Sequence, residues 1–498
     1  MISVSILAPL FAALVIFLLR DGGKGSVAAK RNAALAVAAT LASFVSAIMM
    51  QRRFAANYAE SQLREVLWTS GGSGINLSFA VDGISMPLFL TACLLFFVAA
   101  LFSLNTMRLQ QSGGTAEGTR IFWSMFLLLE AIVLGVFSAY NFIVFFALWE
   151  LFLIPLVILL WRYGLEERQK AAINFFIYTF ASSAFMIAAF VAIVYHVPRV
   201  GGDFDFKSVF NTEMANMPAD KQRLLFLFFM VGFLVKMPIF PFHAWLPLTH
   251  TQAPVGTLLL SGLFLKLGSY GVLRFVTPNF NGVLIDWGSV FMWLGIFSMF
   301  YGAFAAYRQK SFRFVIAYSS LAHMGLILSG ALSRQEHAVA GAMLQNVGHS
   351  LANALLFMVV CVNLARNKSD SLADMQAPAG FSYWAFFSLA MFSAIGVPGT
   401  IGFTGEVMIL YGLSFQSWWL ALFAVMTLVL SATYMLRLFH KVRSRPADTA
   451  FRMNWLEKFS MALIAIPIIW FGLFPSFLAE YAQTTARLIA HGVAGVIR

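Results

Sequence analysis

Cysteine is almost missing from this sequence: Cys93 and Cys361 are the two thiols of a chain of 498 residues. They stand far apart in apolar runs with no CxxC, which excludes a cysteine-ligated iron-sulfur cluster, in need of about four thiolates, and leaves too few ligands for a structural zinc site. Charge is the second scarcity, at 11% of the chain against 60% apolar residues, 53 of them Phe. So few polar groups cannot cover a soluble globule, and lipid must be the solvent for most of the surface. A third absence is of nucleotide-binding signatures: no GxGxxG follows a strand-like run and no GxxxxGK[ST] occurs. The net charge of +12 then reads as the basic loops of a membrane protein, with no nucleic-acid partner.

What is there is hydrophobic sequence in spans. At about 20 apolar residues per crossing, the expected fold is an all-α polytopic membrane protein of about 14 transmembrane helices, near 3–19, 33–50, 86–104, 121–138, 141–161, 171–195, 224–240, 254–276, 287–307, 314–332, 338–364, 381–412, 417–436 and 459–478. The first has no basic n-region and no A-x-A site, so it reads as a retained helix. Loops after odd-numbered spans hold 20 of the 33 Lys and Arg, and the other face holds 11. A bacterial inner membrane with both termini on the periplasmic side is the orientation this bias favours.

The remaining two are Lys236 and Lys266, inside spans. A Lys near the bilayer centre costs roughly 2.5 to 3.5 kcal/mol on insertion scales and persists only with a partner, a hydrated cavity or a task. The same audit leaves Glu130, Glu150, Glu406, His323 and His349 at membrane depth. Glu130 lies about ten residues before the turn near Tyr140 and Glu150 about ten after it, so both fall near the midplane at 1.5 Å per residue. Two carboxylates at one depth can share a proton; alternatively, Glu130 merely bonds a Ser or a backbone carbonyl.

Two spans are broken beside a charge. Pro238 and Pro241 follow Lys236, and Pro398 with a run of glycines precedes Glu406. Backbone freed by proline at membrane depth survives only where protein or cavity water satisfies it. The breaks fall in spans seven and twelve, five apart, which predicts two inverted five-helix repeats, spans 4–8 and 9–13, of the kind found in ion-translocating folds. The expected divisions are 1–110, a three-helix segment; 111–276 and 277–440, the repeats; and 441–498, a last helix and tail. His243 and His250 follow the first break, with His243 the stronger candidate for a pathway lining. Asp82, before an apolar run, reads as a helix cap, and Arg443, Arg445 and Lys458 as a basic face for lipid phosphates.

Five blocks carry a resemblance: FFALWELFLIPL around Glu150, KMPIFPFHAWLPLTHTQAPVGTLLLSGLFLKLGSYGVLR from Lys236 to Arg274, YSSLAHMG around His323, QNVGHSLANALLF around His349 and GFTGEVMIL around Glu406. They resemble the antiporter-like, proton-translocating membrane subunits of respiratory complex I, NADH-quinone oxidoreductase. The resemblance implies that Glu150 and Lys236 form an input ion pair, Lys266 is a central relay, His323 and His349 extend it, and Glu406 ends the second half-channel. An acid at the Glu406 position marks the subunit 4 type within that family. No cofactor is implied on this chain; NADH, FMN, iron-sulfur clusters and quinone belong to partner subunits. The implied partners are the other membrane subunits, neighbouring antiporter-like chains and the lateral helix of the chain L type, with phospholipid around them.

Asn141 departs from the pattern, since many relatives carry Asp there, and so do Leu248 and Ala253. Two other functions compete: a subunit of a multisubunit cation/proton antiporter or membrane-bound hydrogenase, and a scaffold with vestigial charges. Glu406 speaks against the first, and seven intramembrane ionisable groups against the second.

Overall fold

The structure, a computed structural model, describes residues 1–19, 27–56, 62–69, 74–110, 119–196, 203–210, 217–253, 260–367, 369, 371–373, 380–444 and 452–490. Residues 254–259 of the eighth expected span, and Arg20, Lys24, Arg199, Lys368, Arg445 and Arg498 among the basic residues, lie outside them. Helices α1 (Ile2–Leu18) and α2 (Val27–Ala56) are followed by a hairpin, β1 (Gln62–Thr69) and β2 (Asn76–Asp82). Next come α3 (Ser85–Gln110), α4 (Thr119–Ser138), α5 (Phe142–Leu151), α6 (Leu153–Tyr163), α7 (Arg168–His196), the single turn α8 (Phe206–Val209), α9 (Ala219–Lys236) and α10 (Trp245–Gln252). A π-helical turn, Leu260–Phe264, leads into α11 (Leu265–Gly271) and a second one, Val272–Val276. The rest is α12 (Asn281–Arg308), α13 (Phe312–Leu332), α14 (Glu336–Asn367), α15 (Phe381–Ala394), α16 (Ile401–Gln416), α17 (Trp418–Arg443), α18 (Trp455–Leu473) and α19 (Ser476–Ala490).

The chain is mostly helical, and ten stretches among the described residues are long and apolar enough to cross a membrane. Their burial sorts them. The apolar windows of α13 and α14 are 94% buried, whereas those of α17 and α18 are 33% buried, so the former form the centre and the latter face lipid. Close approach at the centre depends on small residues: a Cβ on Gly325 of α13 would stand 2.3 Å from the carbonyl oxygen of Gly295 on α12. Backbones meet there directly, as packing between helices in lipid favours.

Both expected breaks exist. α9 stops at Lys236, because Pro238 disfavours helical backbone at the residue before it, and an irregular turn leads to α10. α15 stops at Ala394, and Gly396 and Gly399, both at positive φ, carry the chain to α16. Three features were not expected. The span around Glu150 is interrupted at Phe152, where Pro155 has no N–H for the carbonyl of Leu151. The span around Lys266 is π-helical on both sides of it. A short amphipathic helix, α19, packs its buried face on α14.

The all-α expectation needs one correction. Gln62 to Asn76 reads as a loop between two very apolar spans, yet its flanks form an antiparallel hairpin, Gln62 opposite Asp82 and Thr69 opposite Asn76, with a bulge between Val66 and Trp68. β2 is anchored from below: the amide of Tyr140, in the turn between α4 and α5, donates to the Ser78 carbonyl at 2.9 Å.

Candidate functional site

The first charged centre forms where α9 ends. Lys236 is fully buried, and with Met237 and Pro238 closing the helix its ammonium reaches across to α5. Nζ donates to the carbonyl of Trp149 at 3.2 Å and lies 3.9 Å from the centre of the Trp149 indole, with Phe264 and Phe152 at 5.8 and 5.9 Å. A cation over an aromatic face in a dry site is stabilised by roughly 2 kcal/mol. The next residue is Glu150, whose two carboxylate oxygens are buried and accept no hydrogen bond. The pair expected from the sequence, far apart in the chain, is thus brought close in space through Trp149, with no hydrogen bond between carboxylate and ammonium.

The second centre lies one helix away. A Cβ on Gly268 would stand 2.7 Å from the amide nitrogen of Met237, so α11 presses against the end of α9 just beside Lys236. Lys266, two residues before that contact, is fully buried and its Nζ touches Nδ1 of His349. π-Helical turns above and below Lys266 loosen the regular bonding at this depth, a common feature of functional helices. α14 answers with polar side chains at helical spacing: Gln345, Asn346, His349, Ser350 and Asn353. Ser269 donates to Oδ1 of Asn346 at 2.6 Å, and Ser350 bonds the carbonyls of Gly262 and Asn346.

The third centre follows from the second. The rings of His349 and His323 have centroids 5.1 Å apart, and Nδ1 of His323 is 3.6 Å from Oε1 of Glu406, just beyond hydrogen-bond length. Glu406 accepts from Nε2 of Gln345 at 3.3 Å and rests on the break between α15 and α16. Beyond it, the buried hydroxyl of Tyr434 on α17 bonds Ser319, one turn before His323, at 2.8 Å.

The structure therefore brings Lys266, His349, His323 and Glu406 into one contiguous group and sets Lys236 and Glu150 beside it. Glu130 stands elsewhere. It is fully buried, its oxygens accept no full hydrogen bond, and its neighbours are Ser43 of α2 and Cys93 of α3, on the side of the N-terminal helices. His243 is boxed by the rings of Phe240 and Tyr301, 5.6 and 4.7 Å away between centroids. His250 is fully buried with neither ring nitrogen hydrogen-bonded. Its burial was not foreseen, because a His in the sequence of α10 looks like a loop residue.

Two further charged residues form a buried pair that the sequence did not reveal. Arg274, eight residues after Lys266 on the same helix, is buried and holds both oxygens of Asp82, with 2.7 Å between Nη2 and Oδ1. Asp82 does cap α3 as expected, accepting from the amides of Ile84 and Ser85 at 3.1 Å, but its main partner is that guanidinium. Burial alone would raise the Asp82 pKa; the Arg274 charge and these bonds outweigh it and hold the carboxyl below its usual range. Asn141 caps α5 with its oxygen on the amide of Ile143 and gives its Nδ2 to the Gly74 carbonyl, both at 3.1 Å. A carboxylate there could make the first bond but not the second.

Comparison with known proteins agrees over the same residues. Residues 139–431 match the family described as NADH:quinone oxidoreductase/Mrp antiporter, TM. The chain is 31% identical over 485 residues to an NADH-quinone oxidoreductase subunit M of Rickettsia felis, covering 95% of each, and 31% identical over 513 residues to an NAD(P)H-quinone oxidoreductase chain 4 of Thermosynechococcus vestitus, covering 100% and 93%. Its fold superposes on a chain of respiratory complex I from Thermus thermophilus with a TM-score of 0.86 at 25% identity, over 99% of this chain and 100% of that one. A chain of the Mrp complex of Dietzia sp. shares the fold at a TM-score of 0.83 and 17% identity, over 100% and 98%.

Proposed function

The chain belongs to the NADH:quinone oxidoreductase/Mrp antiporter membrane family, and from that premise we propose that it is an antiporter-like, proton-translocating membrane subunit of an NADH-quinone oxidoreductase. It carries no redox centre; NADH, FMN, iron-sulfur clusters and quinone are held by partner subunits, and neighbouring antiporter-like chains, a lateral helix and phospholipid surround it. Its two inverted repeats, within the divisions 111–276 and 277–440, each place a broken helix at the bilayer midplane, and both termini face the periplasmic side.

The observation that carries this reading is the contact series from Lys266 through His349 and His323 to Glu406, four titratable side chains of the membrane interior within reach of one another. In this reading protons enter near Glu150 and Lys236, pass to Lys266 and leave by Glu406. Direct transfer needs contacts of about 3 Å or one bridging water, so water completes the step from Lys236 to Lys266. Moving one charge through 100 mV costs about 2.3 kcal/mol, and a potential of roughly 150 to 200 mV asks for about 3.5 to 4.6 kcal/mol on the same scale. At 1.36 kcal/mol per pKa unit, that is a change of about three units at one site. A buried carboxylate moving toward or away from a buried ammonium supplies a change of that size.

The test is genetic and direct. Membrane vesicles lacking this chain should lose NADH-driven acidification; the wild-type chain should restore it in full and Lys266→Ala only in part, because neighbouring chains still pump. Full restoration by both would overturn the reading.

A further inference from the structure

A neutral imidazole carries one N–H, so one of its nitrogens donates and the other accepts. Nδ1 of His349 faces the Lys266 amine, and Nε2 faces the amide nitrogen Nδ2 of Asn353 at 3.0 Å. That nitrogen can only donate, and it donates also to Oγ of Ser320 at 2.6 Å, while Ser320 gives its own proton to the Ile316 carbonyl at 3.0 Å. Nε2 is therefore the accepting nitrogen. The ring proton sits on Nδ1, and the Lys266 nitrogen receives it as an uncharged amine.

A charged Lys266 demands the reverse. Its ammonium donates to Nδ1, the ring N–H moves to Nε2, and Nε2–H needs an acceptor where an amide nitrogen now stands. A half-turn of the Asn353 amide provides one by exchanging Oδ1 for Nδ2. The Ser320 hydroxyl, swung away from Ile316, then donates to the same oxygen. The hydrogen bonds among the four side chains reverse their sense, in exchange for the Ser320 bond to the Ile316 carbonyl.

We propose that Asn353 is a positioning residue that ties the ring tautomer of His349 to the charge of Lys266, so that the pair passes one proton per turn of the amide. The inference rests on the relay reading given above. In the transfer, the Lys266 ammonium gives a proton to Nδ1 and the proton on Nε2 leaves toward water or His323, whose ring lies 5.1 Å away. The products are an amine, a ring protonated on Nδ1 and an acceptor with one more proton. The freed lone pair of Nε2 then takes the amide N–H of Asn353. A second proton arriving at Lys266 meets Nδ1–H and waits until ring and amide reset.

The test uses the assembled complex in proteoliposomes with 15N-labelled histidine, reading the His349 tautomer by vibrational or magnetic resonance spectroscopy. The resting wild type should show Nδ1–H. Asn353→Asp, whose carboxylate only accepts, should hold the ring as Nε2–H, and Asn353→Leu should leave both tautomers populated; both should lower proton transfer through this chain by about tenfold, less than the roughly hundredfold or more of a group that itself passes the proton. A wild-type ring protonated on Nε2, or an unmoved tautomer in Asn353→Asp, would overturn the proposal even if pumping fell, since a merely structural role lowers pumping without choosing a tautomer. Lys266→Ala separates the two readings: normal pumping there defeats the relay itself, whereas lost pumping with unmoved tautomers in the Asn353 variants defeats this inference alone. The wild-type measurement stands even if a variant fails to assemble.

Discussion

Glu406 rests directly on Gly396: a Cβ added to Gly396 would stand 2.0 Å from Oε2 of the carboxylate. Gly396 also has φ of 67°, in the left-handed region. The break between α15 and α16 therefore does two things at once, turning the chain and leaving room for the acid.

Gly396→Ala should accordingly displace Glu406 from Gln345 and His323. The left-handed backbone alone costs roughly 1 to 2 kcal/mol for a residue with a side chain, which a membrane bundle of this size survives. The expected outcome is an assembled complex with lost proton transfer, read as a lowered proton-to-electron ratio in vesicles. Normal pumping would show that the carboxylate does not need its place.

At the proposed entrance, Lys236 binds the carbonyl and ring of Trp149 while Glu150 accepts no hydrogen bond. Glu150→Gln and Lys236→Ala should each lower the proton-to-electron ratio with assembly largely kept, and the double variant should lower it no further than either alone, because the two act as one unit. Additive losses measured in vesicles would mean that they act separately.

The Asp82–Arg274 pair should matter to stability rather than to proton flow. Removing one partner of a buried, fully bonded pair costs about 3 to 5 kcal/mol, so Asp82→Asn should lower the melting temperature of the purified complex. The folded carboxyl ionises below its usual range. Its contribution is therefore fully present above the unfolded pKa of about 3.9 and is lost as pH falls through the lower folded value. The gap between wild type and Asp82→Asn should be constant above about pH 5 and narrow only under strong acid. A gap that opens as pH falls would contradict this.

His243 is packed between two aromatic rings. His243→Phe should keep that packing and, on this geometry, retain pumping within about a factor of two, a loss well below that of one general acid-base group. A tenfold loss in the same vesicle assay would put His243 on the path.

Much of this site was legible because membrane depth makes charge conspicuous. Lys236, Lys266, His323, His349 and Glu406 each interrupt an apolar span, and Pro238, Pro241 and Pro398 mark the breaks beside two of them. What the sequence concealed was partnership. Lys266 and His349 are 83 residues apart, and Arg274 and Asp82 are 192 apart. No periodicity reports such contacts, and Arg274 at the end of a span looks like an interfacial base. The polar stripe of α14 was present as Gln345, Asn346, His349, Ser350 and Asn353, but neutral amides and hydroxyls are cheaper to bury than charges and draw less notice. The π-helical turns around Lys266 have no residue pattern of their own, and the hairpin was hidden by the strong apolar signal on both sides of it.

The most direct measurement is the proton-to-electron ratio of the reconstituted complex carrying Lys266→Ala, taken with NADH oxidation and subunit content in the same preparation. The account expects a complete complex that oxidises NADH with a lower ratio than wild type, because this chain's route is cut at its middle. A complete complex with an unchanged ratio would contradict it.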